Sequence, residues 1–223
     1  DENIVEICLT EPGNYFIKKD CTLDRLTVMD CTLTIAEGVT VTVTHSACNM
    51  DGALNIGSGA VLEYCGDSIN NNGTIDLNNA DLRYANLIDA CLIGANLSNS
   101  DLSNADLFSA NLSFANLRYA DLRNVNLRNV NFSDANLRKA KLSDADLSDT
   151  DLSDANLRNA NLEGANLEGS NLKNANLEGA NSRNANLRNT NLNDADLTGT
   201  NLSCADLKGA DLRNANLTGT NLR

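Results

Sequence analysis

The chain is short of the residues on which most folds and most catalytic sites depend: one Pro, no Trp, four Phe, four Tyr and one His in 223 residues. A single His, His45, leaves no Ser-His or Cys-His arrangement for nucleophilic catalysis. Aromatic content of 4% disfavours most standard folds. No apolar run approaches the roughly 18 residues needed to span a bilayer. Positive charge is also scarce. With 17 Lys+Arg against 30 Asp+Glu the formal charge is −13, which argues against direct binding of nucleic acid or an anionic membrane over the whole surface and permits a basic partner or a cation. What is present, 42% hydrophobic residues with a mean hydropathy of −0.29, fits a soluble folded chain. The sequence opens at Asp1 with neither Met nor a basic-then-apolar leader, and the expectation is a removed targeting segment or a trimmed chain.

Charge and cysteine are unevenly placed. Residues 1–74 hold 11 acidic and three basic side chains, net −8, and residues 75–223 hold 19 and 14, net −5. Five of the seven cysteines, Cys8, Cys21, Cys31, Cys48 and Cys65, lie in the first segment, with Cys91 just beyond it and Cys204 far away. Six clustered cysteines read as up to three disulfides and an oxidising compartment, the alternative being buried free thiols in a reducing one. His45, Cys48 and Cys65 could supply three zinc ligands, but there is no C-x-x-C pair, so neither a metal nor a cofactor is expected.

From Ile75 to the end a period of five dominates, with Leu77, Leu82, Leu87 and so on to Leu222 at its centre. Of thirty centres, twenty-eight are Leu, the exceptions being Phe132 and Ser182. Two residues before each centre stands Ala in twenty-one cases, otherwise Ser, Thr, Val or Ile. The residue just before it is Asp or Asn in all but two repeats, Cys91 and Lys141, and the two after it are polar and varied. Five fits neither the 3.6 period of a helix nor the two of a flat strand. Each pentapeptide reads instead as one side of a square coil of 20 residues, with the Leu and the small residue pointing into a thin interior that larger residues would overfill. Asn and Asp suit the bends because their short side chains bond local backbone. Ser182 predicts a void or a trapped water, a soft spot rather than a site.

This pattern resembles the pentapeptide-repeat family over residues 75–223. The resemblance implies an all-β chain built on a right-handed quadrilateral β-helix, here of about seven and a half coils and, at roughly 4.8 Å per coil, about 36 Å long. It has no lumen for a substrate, and the unbroken frame leaves no inserted loops on the shaft.

Upstream, Leu33-Thr34-Ile35, Leu54-Asn55-Ile56 and Ile75-Asp76-Leu77 recur at offsets of 21, with Gly38 and Gly59 at the same spacing. Residues 1–74 therefore read as a Cys-rich β cap in which residues from about 30 to 74 form two wider solenoid coils and the first 30 add short strands. Cys48 and Cys65, nearly one coil apart, form the favoured disulfide candidate among the possible pairings.

In a 20-residue coil, residues twenty apart share a face, so the outward positions form columns. Arg118, Arg138 and Arg158 form a basic ladder, with Arg123, Arg128, Lys139 and Lys141 near it. It reads either as an anion or acidic-partner patch or as a solvated face balanced by the neighbouring Asp/Asn column. Asp144, Asp146, Asp149, Asp151 and Asp154 follow, but on successive sides of the square, where they cannot converge on one Ca²⁺. Tyr84, Ile88, Ile93, Phe108, Phe114 and Tyr119 occupy outward positions and form an apolar patch, covered either by the N-terminal segment folding back or by another molecule. Because the repeats run to Arg223 without a stop, the expectation is a longer native chain or an end-to-end homodimer through the C-terminal coil.

The leading reading is a non-enzymatic structural or protein-interaction scaffold with an unknown protein partner, no direct nucleic-acid contact and no membrane span. Export to the cell surface, periplasm or exterior is expected, with a cytoplasmic location as the alternative. The family resemblance adds a second function, a DNA-mimicking binder of a type II topoisomerase such as DNA gyrase. Against it stand the arginine ladder, the modest charge of −5 on the shaft and the lack of projecting loops or a dimerising C-terminal helix. A third, ice or mineral binding by regular hydroxyl columns, fails for want of an outward Thr array.

Overall fold

A five-residue period closes into a coil only if its backbone N–H and C=O groups find partners on the same schedule. The computed structural model describes residues 5–9, 14–18, 21–28, 32–35, 40–43, 53–56, 61–64, 77–85, 87–90 and 92–223. Between residues 77 and 223 the schedule can be followed bond by bond. The N–H of a central Leu donates to the carbonyl nineteen residues on, as Leu97 does to Asn116 at 2.7 Å. Two residues later Asn99 donates to the Arg118 carbonyl at 3.0 Å, and the residue before a centre donates backwards, as Asn116 does to Ala95 at 2.8 Å. The small residue closes a turn within the coil, Ser100 N–H to Leu97 C=O at 3.2 Å. One N–H per pentapeptide remains, that of the residue just after the centre. It donates to the side-chain oxygen of the Asp or Asn two residues before it, as Ser98 does to Asn96 Oδ1 at 3.3 Å and Ser133 to Asn131 Oδ1 at 2.9 Å.

That last bond explains the residue before the centre. It sits in a parallel bridge to its counterpart twenty residues on, Asn96 to Asn116 to Asn136 to Asn156, and its carboxamide or carboxylate supplies the one acceptor that the neighbouring coils do not. Its amide then reaches down the stack. Asn181 Nδ2 donates to Asn161 Oδ1, Asn201 to Asn181 and Asn221 to Asn201, each at 3.1 Å. The bends themselves fall elsewhere than expected. The Leu carbonyl and the N–H three residues on close a turn whose third residue, two after the centre, is left-handed in all 29 described cases, 22 non-glycine and seven glycine. This is a type II turn, which favours Gly, Asn or Asp at that position. Those three residues fill it in all but six turns.

The interior is as narrow as the pattern requires. Leu centres from Leu77 to Leu202 and the Ala residues between them are buried, most with 0–2% exposure. Phe132, Val125 and Val130 are buried together in one coil, so the thin core accepts one enlarged layer. Small hydroxyl residues at inward sites bond inside it: Thr190 and Thr200 donate to the carbonyls of Leu167 and Leu177 at 3.0 and 2.8 Å, and Ser170 to Leu167 at 2.7 Å. Ser182 differs. It is fully buried, and its Oγ has no hydrogen-bond partner among the described residues. Towards the last coil burial declines, with Leu217 39% and Leu222 58% exposed.

Upstream, among the described residues, seven strands form two parallel sheets. One holds β1 (Val5–Leu9), β3 (Cys21–Val28), β5 (Thr40–Val43) and β7 (Val61–Tyr64), and the other β2 (Asn14–Ile17), β4 (Thr32–Ile35) and β6 (Ala53–Ile56). Leu33 pairs with Leu54, the offset of 21 read from the sequence, and Val43 pairs with Tyr64 at the same offset. The stacking begins earlier than expected. Strands β1, β2 and β3, within the first 30 residues, belong to the same two sheets, Tyr15 pairing with Leu33 and Cys21 with Val41.

Candidate interaction surfaces

Where an aspartate stands two residues upstream, three arginines of the shaft are neutralised within their own pentapeptide. In Asp81-Leu82-Arg83 the guanidinium forks onto the carboxylate of its own pentapeptide, Nε to Oδ1 at 2.8 Å and Nη2 to Oδ2 at 2.6 Å. Asp121-Leu122-Arg123 repeats the fork at 2.7 and 2.8 Å, and Asp211-Leu212-Arg213 repeats it again. Such planar bidentate pairs are the strong form of a charge-assisted hydrogen bond. Asp121 is the tightest, only 7% exposed, with Lys141 Nζ adding a third contact to Oδ2 at 3.1 Å. Burial pushes its carboxyl up, but the hydrogen bonds from Arg123 and Lys141 and the Lys141 charge outweigh it and hold the group below the usual carboxylate range. Asp81 is lowered chiefly by its bond to Arg83, against a smaller upward push from burial.

A folded-state value below the unfolded one means that stabilisation is complete above the unfolded pKa, near 3.9, and fades as pH falls through the lower folded value. Thermal melts between pH 6 and pH 2 should therefore show the midpoint holding to about pH 4 and dropping below it. In Asp121→Asn the drop should be shallower. An unchanged slope in that variant would remove the assigned role of Asp121.

Asparagine in the same upstream position leaves the arginine without a fork. Asn116-Leu117-Arg118, Asn136-Leu137-Arg138 and Asn156-Leu157-Arg158 stack on one side of the coil. Of the three arginines, among the described residues, only Arg158 has an acidic partner, Glu178 in its own column at 2.7 Å. The residues beside the ladder arginines are neutral asparagines, whose Oδ1 atoms are taken by backbone N–H groups. Arg138 Nε is buried with no acceptor among the described residues. Tyr119 stands between two cations, its ring 4.9 Å from the Arg118 guanidinium carbon and 5.3 Å from Lys139 Nζ. Its hydroxyl accepts from Arg118 Nη2 at 3.2 Å and lies 3.5 Å from Lys139 Nζ. Those bonds and charges, Arg118 first, hold the phenol below its ordinary pKa.

The expected apolar patch is not a single face: Tyr84, the pair Ile88 and Phe108, the pair Ile93 and Phe114, and Tyr119 fall on four successive sides of the coil. Tyr84 and Phe114 are 61% and 64% exposed and Ile88 and Tyr119 both 40%, while Ile93 and Phe108 are half-buried. Tyr84, Phe114 and Tyr119 also occupy the left-handed turn position, with φ of 61°, 60° and 63°. For a bulky residue that conformation is strained. The signal for this lies in the sequence, in the Asn, Asp and Gly bias two residues after each centre.

The acidic run serves the stack. Asp146 and Asp151 each accept from the asparagine twenty residues on, both at 3.0 Å, and Asp154 accepts from Asn174 at 3.1 Å. Cys48 and Cys65 lie outside the described residues, as do Cys31, Cys91 and His45. Cys204 is an exposed free thiol on a left-handed turn. No helix among the described residues is long and apolar enough to cross a membrane.

The model of pentapeptide repeats matches this chain in eight copies, over segments running from residue 75 to residue 219. The chain belongs to the pentapeptide-repeat family. Solved pentapeptide-repeat structures establish the shaft as a right-handed quadrilateral β-helix. A trypsin-treated variant of QnrB1, a plasmid-mediated fluoroquinolone resistance protein, is 20% identical over 95% of this chain and 91% of its own, with a TM-score of 0.53. A pentapeptide repeat protein from the Arabidopsis thaliana thylakoid lumen is 35% identical over 44% of this chain and 68% of its own, with a TM-score of 0.43. The pentapeptide repeat protein Rfr23 from the cyanobacterium Cyanothece is 41% identical over 46% of this chain and 64% of its own, with a TM-score of 0.35. No curated protein matches the chain by sequence. In this pentapeptide-repeat shaft, the regular positions are accounted for by the coil's own hydrogen bonding, and the departures are the unforked arginines and the strained aromatics.

Proposed function

We propose that the protein is a non-enzymatic protein-interaction scaffold whose partner embraces the first shaft coils through exposed aromatic residues on several of their sides. The observation that carries this reading is the backbone state of Tyr84, Phe114 and Tyr119. Each is exposed, each holds φ near +60°, and Asn, Asp or Gly fills 23 of the 29 equivalent positions. For Tyr84 and Phe114, an exposed ring at such a position costs the fold about 1–2 kcal/mol of left-handed backbone. Ile88, Ile93 and Phe108 extend the apolar area around the same coils. Residues 1–74 act in this reading as a β cap, and export with a Cys48–Cys65 disulfide remains part of it.

The test is capture from a native lysate with wild type and with the Tyr84→Asn/Phe114→Asn variant, which keeps the fold. The reading requires that a partner retained by wild type be lost from the variant, and equal retention overturns it. Intact mass with and without reduction and alkylation tests export, since seven free thiols would place the chain in a reducing compartment. The type II topoisomerase reading gains no support from a likeness at 20% identity, and the described shaft presents a cationic face rather than a continuous acidic one.

A further inference from the structure

The face that carries Arg118, Arg138 and Arg158 is unlike the rest of an acidic protein. Four consecutive pentapeptides stack on it, residues 95–99, 115–119, 135–139 and 155–159, and none contains an acidic residue. They carry four cations, Arg118, Arg138, Lys139 and Arg158, in a chain whose formal charge is −13. Among the described residues Arg118, Arg138 and Lys139 have no carboxylate within ion-pair distance, and only Arg158 is answered, by Glu178. On other sides of the shaft Arg83, Arg123 and Arg213 each fork onto an aspartate two residues upstream. The open arginines differ from the closed ones by one atom pattern, Asn in place of Asp at residues 116, 136 and 156. With Arg138 Nε buried and unpartnered, packing rather than a counter-charge holds that side chain.

We propose that this face binds an acidic segment of a partner polypeptide, its carboxylates taking on Arg118 and Arg138 the forked place that Asp81 and Asp121 take on Arg83 and Arg123. Charge complementarity and flatness both favour this occupant. Guanidinium groups recognise carboxylates in a planar two-point geometry, and the surface is a stack of bridged coils with an amide ladder beside it, where Asn116 Nδ2 donates to Asn96 Oδ1 at 3.2 Å. The shallow depression lined by Asn124, Val125, Arg128, Asp144 and Asp146 involves none of these residues. A nucleic acid is the poorer fit, because its affinity is summed over many phosphate contacts and falls steeply with salt, and this face offers four cations, one of them already paired. Tyr119 lies on this cationic face, but the proposal does not rest on the exposed aromatic residues.

The experiment is fluorescence anisotropy with a labelled octaglutamate peptide at low salt, using the full chain. Wild type should bind it, and binding should weaken about tenfold or more in Asn136→Asp, which gives Arg138 an internal carboxylate, and in Arg118→Gln/Arg138→Gln. Lys173→Gln, a charge loss on another side of the shaft, should leave binding unchanged, as should Tyr84→Asn/Phe114→Asn, which separates this proposal from the function proposed above. Circular dichroism and thermal melts establish that the variants fold, and the two ladder variants fail independently of one another. No binding by wild type, or equal binding by both ladder variants, overturns the proposal. So does tighter binding of an octathymidylate than of the peptide, which would mark a nucleic-acid face. Displacement of the peptide by millimolar inorganic phosphate would overturn it in favour of a small oxyanion site.

Discussion

Replacing Ser182 by Leu should raise the thermal midpoint by several degrees, the opposite of what most core substitutions do. Ser182 is one of only two centres that are not Leu, and it is fully buried between the coils of Leu162 and Leu202. Its backbone keeps the regular schedule, its N–H donating to the Asn201 carbonyl at 2.8 Å. The coil has therefore not collapsed around the missing side chain, and a Leu should meet the space that its twenty-eight counterparts fill. Two losses are repaired together. A Leu-to-small truncation in a core costs about 2–5 kcal/mol, and a buried hydroxyl without a partner costs about 1–3 kcal/mol. Allowing for the overlap of these terms, we expect about 2–4 kcal/mol of added stability, and about 2–4 °C per kcal/mol for a chain of this size. Because a solenoid's stability is a sum over neighbouring coils, the gain should be concentrated in the hydrogen-exchange protection of coils adjacent to residue 182. An unchanged or lowered midpoint would mean that the interior there has already tightened past a Leu's volume.

The second large effect combines a gain of stability with a loss of binding. In Tyr84→Asn/Phe114→Asn, both positions retain φ near +60°, which Asn tolerates at little cost and an aromatic ring does not. Each substitution should add about 1–2 kcal/mol, and the sites, thirty residues apart on opposite sides of the square, should add independently. The same variant should lose the partner proposed for these residues. Chemical denaturation and capture experiments read the two quantities separately. Destabilisation would mean that the rings pack against something that stabilises the fold, and they would then belong to the protein's own architecture rather than to an interface.

Much of the shaft could be read directly from residue spacing. Strict alternation of Leu with a small residue at a period of five dictates the 20-residue coil, the inward columns and the offsets at which coils pair. Two things lay beyond that spacing. The turn was attributed to Asp and Asn before the centre, whereas those residues close the one unmatched N–H, and the left-handed residue lies two positions after the centre. Composition at that later position held the clue, but a polar bias reads alike whether it reflects solvent or a positive φ. Pairing of the arginines was hidden for a different reason. Asp and Asn are equivalent as acceptors of the Arg118 or Arg123 N–H, so the repeat treats them as interchangeable. Only the side-chain geometry shows that one of them also neutralises the guanidinium and the other does not. Residues 1–74 were less legible because their strands pair at offsets that drift between 18 and 21, as Val5 with Leu23 and Val61 with Thr40 show, so no fixed period registers.

Four sides per coil also govern how such a gene can change in length. Removing twenty residues shortens the rod by one storey and leaves every surviving column aligned. Removing five preserves the buried Leu and Ala pattern equally well, yet it turns everything downstream by a quarter revolution. A five-residue deletion between Arg118 and Arg138 would thus spare the core while carrying the two guanidiniums onto adjacent sides. Inheritance of a surface on this rod is therefore counted in multiples of twenty, whereas the fold itself counts only in fives.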